Sequence, residues 1–386
     1  MFISLTRSRR ILPVVAVLIA LAASASAQQT APIAIGPYIQ NVSDTSATIC
    51  WATRDGQVTI TAPDIEPQAV RAYNHHSVLL RRLTPATTYD YSVLGDVTAD
   101  KVTFTTFPKD EQPLTFAVVG DTRSRHDVHR RIVEGIIAQK PALVFNTGDL
   151  VSDGRDIAGW ETFFKISGDL MRTVPYYPVL GNHENDAKFY FDFFALPGNE
   201  RYYSFNRGPV HFIGLDTVGP RMPESNQPVT ESQQQAFEQD QQRYWQRQME
   251  WLRDDLAAQN DAKYIFVFFH HPLYTVKASR VEGTNEVRDR FGTVFQDNRV
   301  SAVFTGHDHY YHRAVAGGIP FVTTGGGGAP LYDTDAPQPE TVKYAKVEHF
   351  VRIDVGLDKA AARVIDINGA TIDEFEMRAR APASPN

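Results

Sequence analysis

Two apolar runs end in the same pair of residues. Leu114–Asp121 reads LTFAVVGD, and Ala142–Asp149 reads ALVFNTGD. Between them, HRRIVEGIIAQ (129–139) places apolar residues at helical spacing. A run with no polar face suits a buried strand. The alternation continues through YYPVLGNHE, VHFIGLDT, QRQMEWLRDDLAAQ, AKYIFVFFHHP and VSAVFTGHDH. A chain patterned this way is held to an α/β layer architecture. Polar residues sit just past the strands' carboxyl ends, where such sheets place their ligands.

The chain before this pattern reads differently. Residues 28–107 alternate apolar and polar positions in short runs such as ATICWAT (47–53) and HSVLLRRL (76–83), as half-buried antiparallel strands do. LTPATTYDYSVLG (83–95) resembles the fibronectin type III pattern, in which a turn leads to a tyrosine at the sheet corner. Tyr89 is expected to be that tyrosine, with its hydroxyl bonded to nearby backbone. The expected first domain is thus an all-β sandwich. Cys50, the only cysteine, is expected in its core, and a single cysteine excludes an internal disulfide. Residues 108–113 read as a Pro-bracketed linker, 114–378 as the α/β domain, and 379–386 as a disordered tail. The polar, Gln-rich stretch Pro223–Gln242 is expected to be a solvated surface loop. TTGGGGAPLY (323–332) is Gly-rich, but no Gly-Lys-Ser/Thr follows, so it is not a phosphate-cradling loop.

At the start of the chain, Arg7, Arg9 and Arg10 precede the apolar run Ile11–Ala23 and the small residues Ala25-Ser26-Ala27. This is the pattern of a secretory leader cut after Ala27, which makes the protein secreted or periplasmic. The apolar run is short for a membrane span and no other long one follows, so no membrane anchor is expected. The net charge is −7, and removing those three arginines makes it −10. Such a chain does not suit nucleic acid or an anionic membrane as partner. Oligomeric state is not legible in the sequence.

In order, the strand ends carry Asp121, Asp149, the triplet Asn182-His183-Glu184, His270, and His307 with His309. Carboxylates, an amide oxygen and imidazoles together suit Zn, Fe or Mn rather than an all-oxygen Ca site. One bridging carboxylate would let the set hold two ions. In extended chain, residues i and i+2 point the same way, so His307 and His309 are expected to project together and reach different ions. A single Gly-Asp is an ordinary turn; five such strand ends in one order are not.

This ordered set resembles the calcineurin-like metallophosphoesterase superfamily, and within it the purple acid phosphatase branch. That branch also opens with a fibronectin-like domain, and GPYIQNVSDTSATICWAT (36–53) looks like its opening. The resemblance implies a sandwich of two mixed sheets flanked by helices, with two metal ions (Fe, Zn or Mn). It implies that Asp149 bridges both ions, that Asp121 and His309 bind the first, and that Asn182, His270 and His307 bind the second. By the same resemblance His183 contacts the phosphoryl group and protonates the leaving oxygen, while Glu184 orients His183. His271 and Tyr310 are expected to line the substrate pocket. The implied reaction is hydrolysis of a small phosphate monoester by metal-activated water. A phosphodiesterase using the same site is the nearest alternative; a non-catalytic binding protein with a degenerate metal site is another.

Two positions depart from the pattern. The iron-binding tyrosine of the purple branch, three residues after the bridging Asp, is replaced by Ser152, so the purple colour is expected to be absent. A histidine found two residues after the first Asp in the broader superfamily is replaced by Arg123. That leaves three protein ligands for the first ion. Arg123 either clamps phosphate through its guanidinium fork or stands in a solvated loop.

Overall fold

The computed structural model describes residues 3–7, 17–18, 33–62, 65–93, 102–222, 228–259 and 261–380. The expected cleavage point after Ala27 and the chain beyond 380 lie outside these residues.

The N-terminal part is all strand: β1 (Ile3–Arg7), β2 (Val17–Leu18), β3 (Ile33–Gln40), β4 (Ser46–Ala62), β5 (Ile65–Arg81), β6 (Thr88–Val93) and β7 (Val102–Thr105). They form two antiparallel sheets, β3-β4-β5 and β2-β1-β6-β7. Both β1 and β2 lie in the segment read as a leader, so cleavage after Ala27 would leave β6 and β7 as a two-stranded remainder. Cys50 is buried, and burial pushes its thiol up to about 12. The Tyr89 hydroxyl accepts the Thr84 N–H at 2.8 Å, the corner bond its position predicts.

These sheets share a hydrophobic core with the first sheet of the α/β part and with that part's inner faces. Tyr38 donates to the Phe193 carbonyl at 2.6 Å, and its ring lies 4.9 Å from Phe164. Tyr91 donates to the Arg172 carbonyl at 2.7 Å, and Gln40 to the Tyr176 carbonyl at 3.1 Å.

The α/β part runs β8 (Leu114–Val119), α1 (His126–Ala138), β9 (Leu143–Asn146), α2 (Ile157–Met171), β10 (Tyr176–Pro178), α3 (Lys188–Phe193), β11 (Tyr203–Arg207) and β12 (Val210–Gly214). It continues with α4 (Glu231–Ala257), β13 (Tyr264–Phe268), α5 (Val281–Asp297), β14 (Ala302–Thr305), β15 (Tyr311–Ala316) and β16 (Ile319–Thr324). It ends with β17 (Thr341–Ala345), β18 (His349–Val355), β19 (Lys359–Asp366) and β20 (Thr371–Arg378). One sheet has the order β10-β9-β8-β18-β19-β20 and the other β11-β12-β13-β14-β16-β15-β17. Both are mixed. The parallel strands are β8, β9 and β10 in the first, and β12, β13, β14 and β16 in the second.

Phenylalanines join the two sheets face to face. Phe116 lies 5.2 Å from Phe266, and Phe145 lies 5.3 Å from Phe212. Each such ring, fully buried, contributes about 1.5–3 kcal/mol of transfer free energy. Outside, Leu252 and Leu256 of α4 and Phe291 and Phe295 of α5 pack over Ile265, Val267 and Val303. On the other face α1 lies close on β18: a Cβ at Gly135 would stand 2.8 Å from the Phe350 ring.

Two expectations are corrected. Much of the Gln-rich stretch is helix, not loop. α4 starts at Glu231, where Thr230 and Gln233 form a reciprocal cap, and glutamine is a good helix former. Arg380, inside the expected tail, is held in place. The Arg380 N–H donates to Lys263 O at 2.8 Å, and its guanidinium to Gln259 O and Ala262 O at 2.9 Å each. Among the described residues, no helix is long and apolar enough to cross a membrane.

Candidate metal centre

The parallel strands of both sheets end at one rim of the sandwich. Asp121 follows β8, Asp149 follows β9 and Asn182 follows β10. His270 follows β13, while His307 and His309 follow β14. One sheet therefore supplies oxygen donors and the other supplies imidazoles. Asp121 (φ 56°), Asp149 (φ 57°) and His307 (φ 69°) all adopt the left-handed conformation. Asp and His visit it more readily than most residues, and such strain gathers at functional sites. His307 and His309 do reach two different groups of donors, as expected. The turn at His307, rather than extended chain, aims them.

In the second group, Asn182 Oδ1 lies 3.0 Å from His270 Nε2 and 2.9 Å from His307 Nδ1. The two ring nitrogens are 3.2 Å apart, and Asp149 Oδ1 is 3.4 Å from His270 Nε2. His270 Nδ1 is committed to the Thr147 carbonyl at 2.8 Å, so its Nε2 faces this set. A proton on His307 Nδ1 can serve only part of it; a metal cation serves all of it. With bonds of ~2.1 Å, neighbouring donors of one ion stand roughly 3.0–3.4 Å apart, so the residues fit. Burial and then His270 and His271 push the His307 imidazole far below its ordinary pKa, which favours a metal over a proton there. Burial alone would also lower His270, but Asp149 and Asp121 raise it.

The first group joins Asp121, Asp149 and His309, whose ligand atoms lie within 4.8 Å of one another. His309 Nδ1 donates to the Pro330 carbonyl at 2.8 Å, and Nε2 lies 3.4 Å from Asp121 Oδ1. Asp149 faces both groups, as a bridge must. Burial alone would raise its pKa; His270, His183 and Arg123 more than offset that, and the carboxyl sits below its ordinary value. Arg123 is not in a solvated loop. Its Nε is 3.4 Å from Asp149 Oδ2 and its Nη2 is 3.5 Å from His309 Nε2. Ser152 is exposed, with its hydroxyl 3.5 Å from that of Ser124.

His183 stands at the open side. Its Nδ1 donates to the Ser152 carbonyl at 2.8 Å, leaving Nε2 3.8 Å from Asp149 Oδ2. Glu184 does not orient this ring. Its buried carboxylate instead accepts the backbone N–H groups of Gly181 (2.7 Å), Leu150 (2.8 Å), Asp149 (2.9 Å) and Val151 (3.4 Å). The short 3-10 turn Asn182–Glu184 directs Glu184 inward beneath the Asp149 loop. Burial and then Asp149 push its pKa up to about 7.

Tyr310 does not line a pocket. It is fully buried, and its hydroxyl meets Asp308, Thr275 Oγ1 at 2.7 Å and the Val276 N–H at 3.2 Å. Residue alternation explains this: the turn that aims His309 at the ligand set sends Asp308 and Tyr310 inward. His271 does lie at the site. Its ring centroid is 4.4 Å from His307, Thr217 Oγ1 holds its Nδ1 at 3.0 Å, and burial followed by His270 lowers it to about 3. It faces a cavity of about 340 Å³ lined also by Pro272, Arg280, Val287 and Arg290. His312, the third histidine of FTGHDHYYHR, is buried in β15 against Thr341 and belongs to neither group.

Five residues at the site carry no ligand signal in the sequence pattern. The carbonyls of Thr147, Ser152 and Pro330 set the imidazoles and carry no side-chain signal. Arg280 holds the His309 turn from below, through Asp308 Oδ1 at 2.7 Å and His307 O at 3.1 Å. Tyr332 stacks on His309, ring centroids 4.1 Å apart; its signal was the tyrosine closing the Gly-rich run.

A family model described as calcineurin-like phosphoesterase matches residues 114–311, just over half of the chain. Purple acid phosphatase 23 of Arabidopsis thaliana is 26% identical over 284 residues, covering 62% of this chain and 57% of that one. The chain spans roughly half to three-fifths of the length of the curated relatives it matches. A solved purple acid phosphatase from yellow lupin seeds superposes with a TM-score of 0.69 at 16% identity, over 90% of this chain and 74% of that one. The structure of PhoD does so with a TM-score of 0.63 at 14% identity, over 93% and 94%. The two superpositions extend the likeness of fold across the β-rich N-terminal part, and the matched segment contains every ligand candidate from Asp121 to His309. The chain belongs to the calcineurin-like phosphoesterase family.

Proposed function

We propose that the protein is a binuclear-metal phosphatase acting on small phosphate monoesters. The observation that carries this reading is the convergence of oxygen donors from one sheet and imidazoles from the other, with His183 Nε2 turned toward them. Bound there, two metal ions (Fe, Zn or Mn) would supply a Lewis-acid seat for phosphate oxygens and activate water. Asp121, Asp149 and His309 would hold one ion; Asn182, His270, His307 and Asp149 the other. Arg123, beside both Asp149 and His309, would clamp a phosphate oxygen as its charge builds. The leader-like N-terminus supports an exported protein, and the Tyr89 corner supports a fibronectin-like first domain.

The deciding assay compares p-nitrophenyl phosphate with bis-p-nitrophenyl phosphate on metal-loaded protein. The monoester is expected to give the higher kcat/KM. Dominant diester turnover would make the enzyme a phosphodiesterase with the same site. No turnover on either ester with Fe, Zn or Mn would reject the enzyme and favour a binding protein.

His183 carries its own prediction. With Nδ1–H given to Ser152, a second proton on Nε2 can pass to a departing oxygen. His183→Ala should therefore lose about 10²-fold in kcat on an alkyl phosphate, a typical general-acid contribution. It should lose clearly less on p-nitrophenyl phosphate, whose leaving group needs little protonation. Equal losses on both would show that His183 binds phosphate without acting as an acid.

A further inference from the structure

We infer that Tyr332 is a protein ligand of the first metal ion, supplying from a distant loop the phenol that position 152 lacks. The inference rests on the two-metal reading. It also replaces the expectation, drawn from Ser152, that the protein cannot be coloured by iron.

The Tyr332 hydroxyl lies 3.4 Å from His309 Nε2, and that same nitrogen lies 3.4 Å from Asp121 Oδ1. His309 Nε2 is the atom that must face the ion, because Nδ1 is held by Pro330 O at 2.8 Å. A phenol oxygen and an imidazole nitrogen on one ion, each at ~2.1 Å, stand roughly 3.0–3.4 Å apart. The tyrosine is therefore at ligand spacing from a ligand already assigned.

Its placement is built in by the backbone. The Tyr332 N–H donates to His309 O at 3.0 Å, and the rings stack with an interplanar angle of 26°. The Gly-rich run before it threads under the rim. A Cβ at Gly327 would stand 2.3 Å from Gly120 O, and one at Gly325 would stand 2.3 Å from Asp308 O. These glycines let the chain pass beneath Asp121 and bring Tyr332 back over His309. The run that fails as a phosphate loop serves to deliver a phenol.

Two cations stand beside the phenol. Arg280 Nη2 donates to the Tyr332 oxygen at 3.4 Å, and the Arg280 guanidinium lies 5.0 Å from the ring centroid. Lys277 Nζ lies 5.4 Å from the same centroid. Burial nevertheless holds the free phenol's pKa above its ordinary value, with Arg280 and Arg123 offsetting it only in part, so the geometry alone carries the assignment. Ligation releases the phenol proton to water and forms one metal–oxygen bond. Arg123 Nη2, 3.5 Å from His309 Nε2, is a neighbour of the site but cannot ligate, since it has no lone pair to offer.

The test is optical. Purified protein is stripped of metal, loaded with excess ferric iron, desalted, and measured for bound iron and visible absorption. Tyrosinate bound to ferric iron gives a broad visible charge-transfer band, and wild type is expected to show it. Tyr332→Phe keeps the ring that stacks on His309 and should remain folded. At equal bound iron it should lose the band completely. Wild type that binds iron without colour, or a band that survives in Tyr332→Phe, overturns the assignment and leaves the two-metal reading standing. Wild type that retains no iron, zinc or manganese overturns both.

Discussion

Replacing Asp149 by asparagine should cost at least about 10³-fold in kcat/KM, or about 4 kcal/mol, while the protein stays folded. The backbone argument comes first. Asp149 sits at φ 57°, a conformation asparagine tolerates as well as aspartate. Its Oδ1 accepts the His183 N–H at 2.9 Å, and an asparagine oxygen can keep that bond. What is lost is the charge. Asp149 is the one carboxylate that faces both ligand groups, with His270 and His183 holding it ionised. A neutral amide cannot hold two cations together, nor offset their mutual repulsion. Bound metal should fall below two ions per chain, with circular dichroism unchanged. Activity within ten-fold of wild type would show that Asp149 does not join two metals.

The second large effect is structural. Glu184→Ala should destabilise the metal-free protein by about 4 kcal/mol, lowering its Tm by roughly 5–10 °C. The carboxylate accepts four backbone N–H groups in a buried setting, and each donor left unpaired there costs about 1–3 kcal/mol. The sum is discounted because the loop can relax and water can enter. The loop that relaxes carries Asp149 and the Ser152 carbonyl that sets His183, so metal affinity should fall with stability. Glu184→Gln keeps one acceptor and should fall between the two. Thermal melts of the three metal-free proteins decide it. A wild-type Tm for Glu184→Ala would mean that the four N–H groups find other partners at no cost.

The positions of the candidate ligands were legible because each one ends an apolar run, and apolar strands in an α/β chain end at the rim where such sheets place ligands. Asp121, Asp149, Asn182, His270, His307 and His309 all stand where that logic puts them. Contacts between remote segments were not legible. Nothing in GNHE shows that Glu184 turns down to the backbone of 149–151 rather than across to His183. Tyr310 follows His309 directly, yet adjacent residues face opposite ways, and its ring turns into the core. Tyr332 was invisible as a ligand candidate because it meets His309 only through a glycine-threaded return. The polarity at the start of α4 reads as loop, whereas a capped glutamine-rich segment can be helix with no apolar face at all.

The division of donors between the two sheets has a consequence for how the protein is assembled. Neither half of the sandwich holds a complete coordination sphere: Asp121, Asp149 and Asn182 come from one sheet, and His270, His307 and His309 from the other. No local stretch of unfolded chain offers the set, so capture of the ions follows closure of the sandwich and cannot nucleate it. His270 and His309 are by then already turned by the Thr147 and Pro330 carbonyls, so little ordering of these two rings is left for binding to accomplish. Such a cage discriminates weakly among ions that share its donor preferences. The ionic composition of the medium in which the chain finishes folding would then decide which metals such a centre holds.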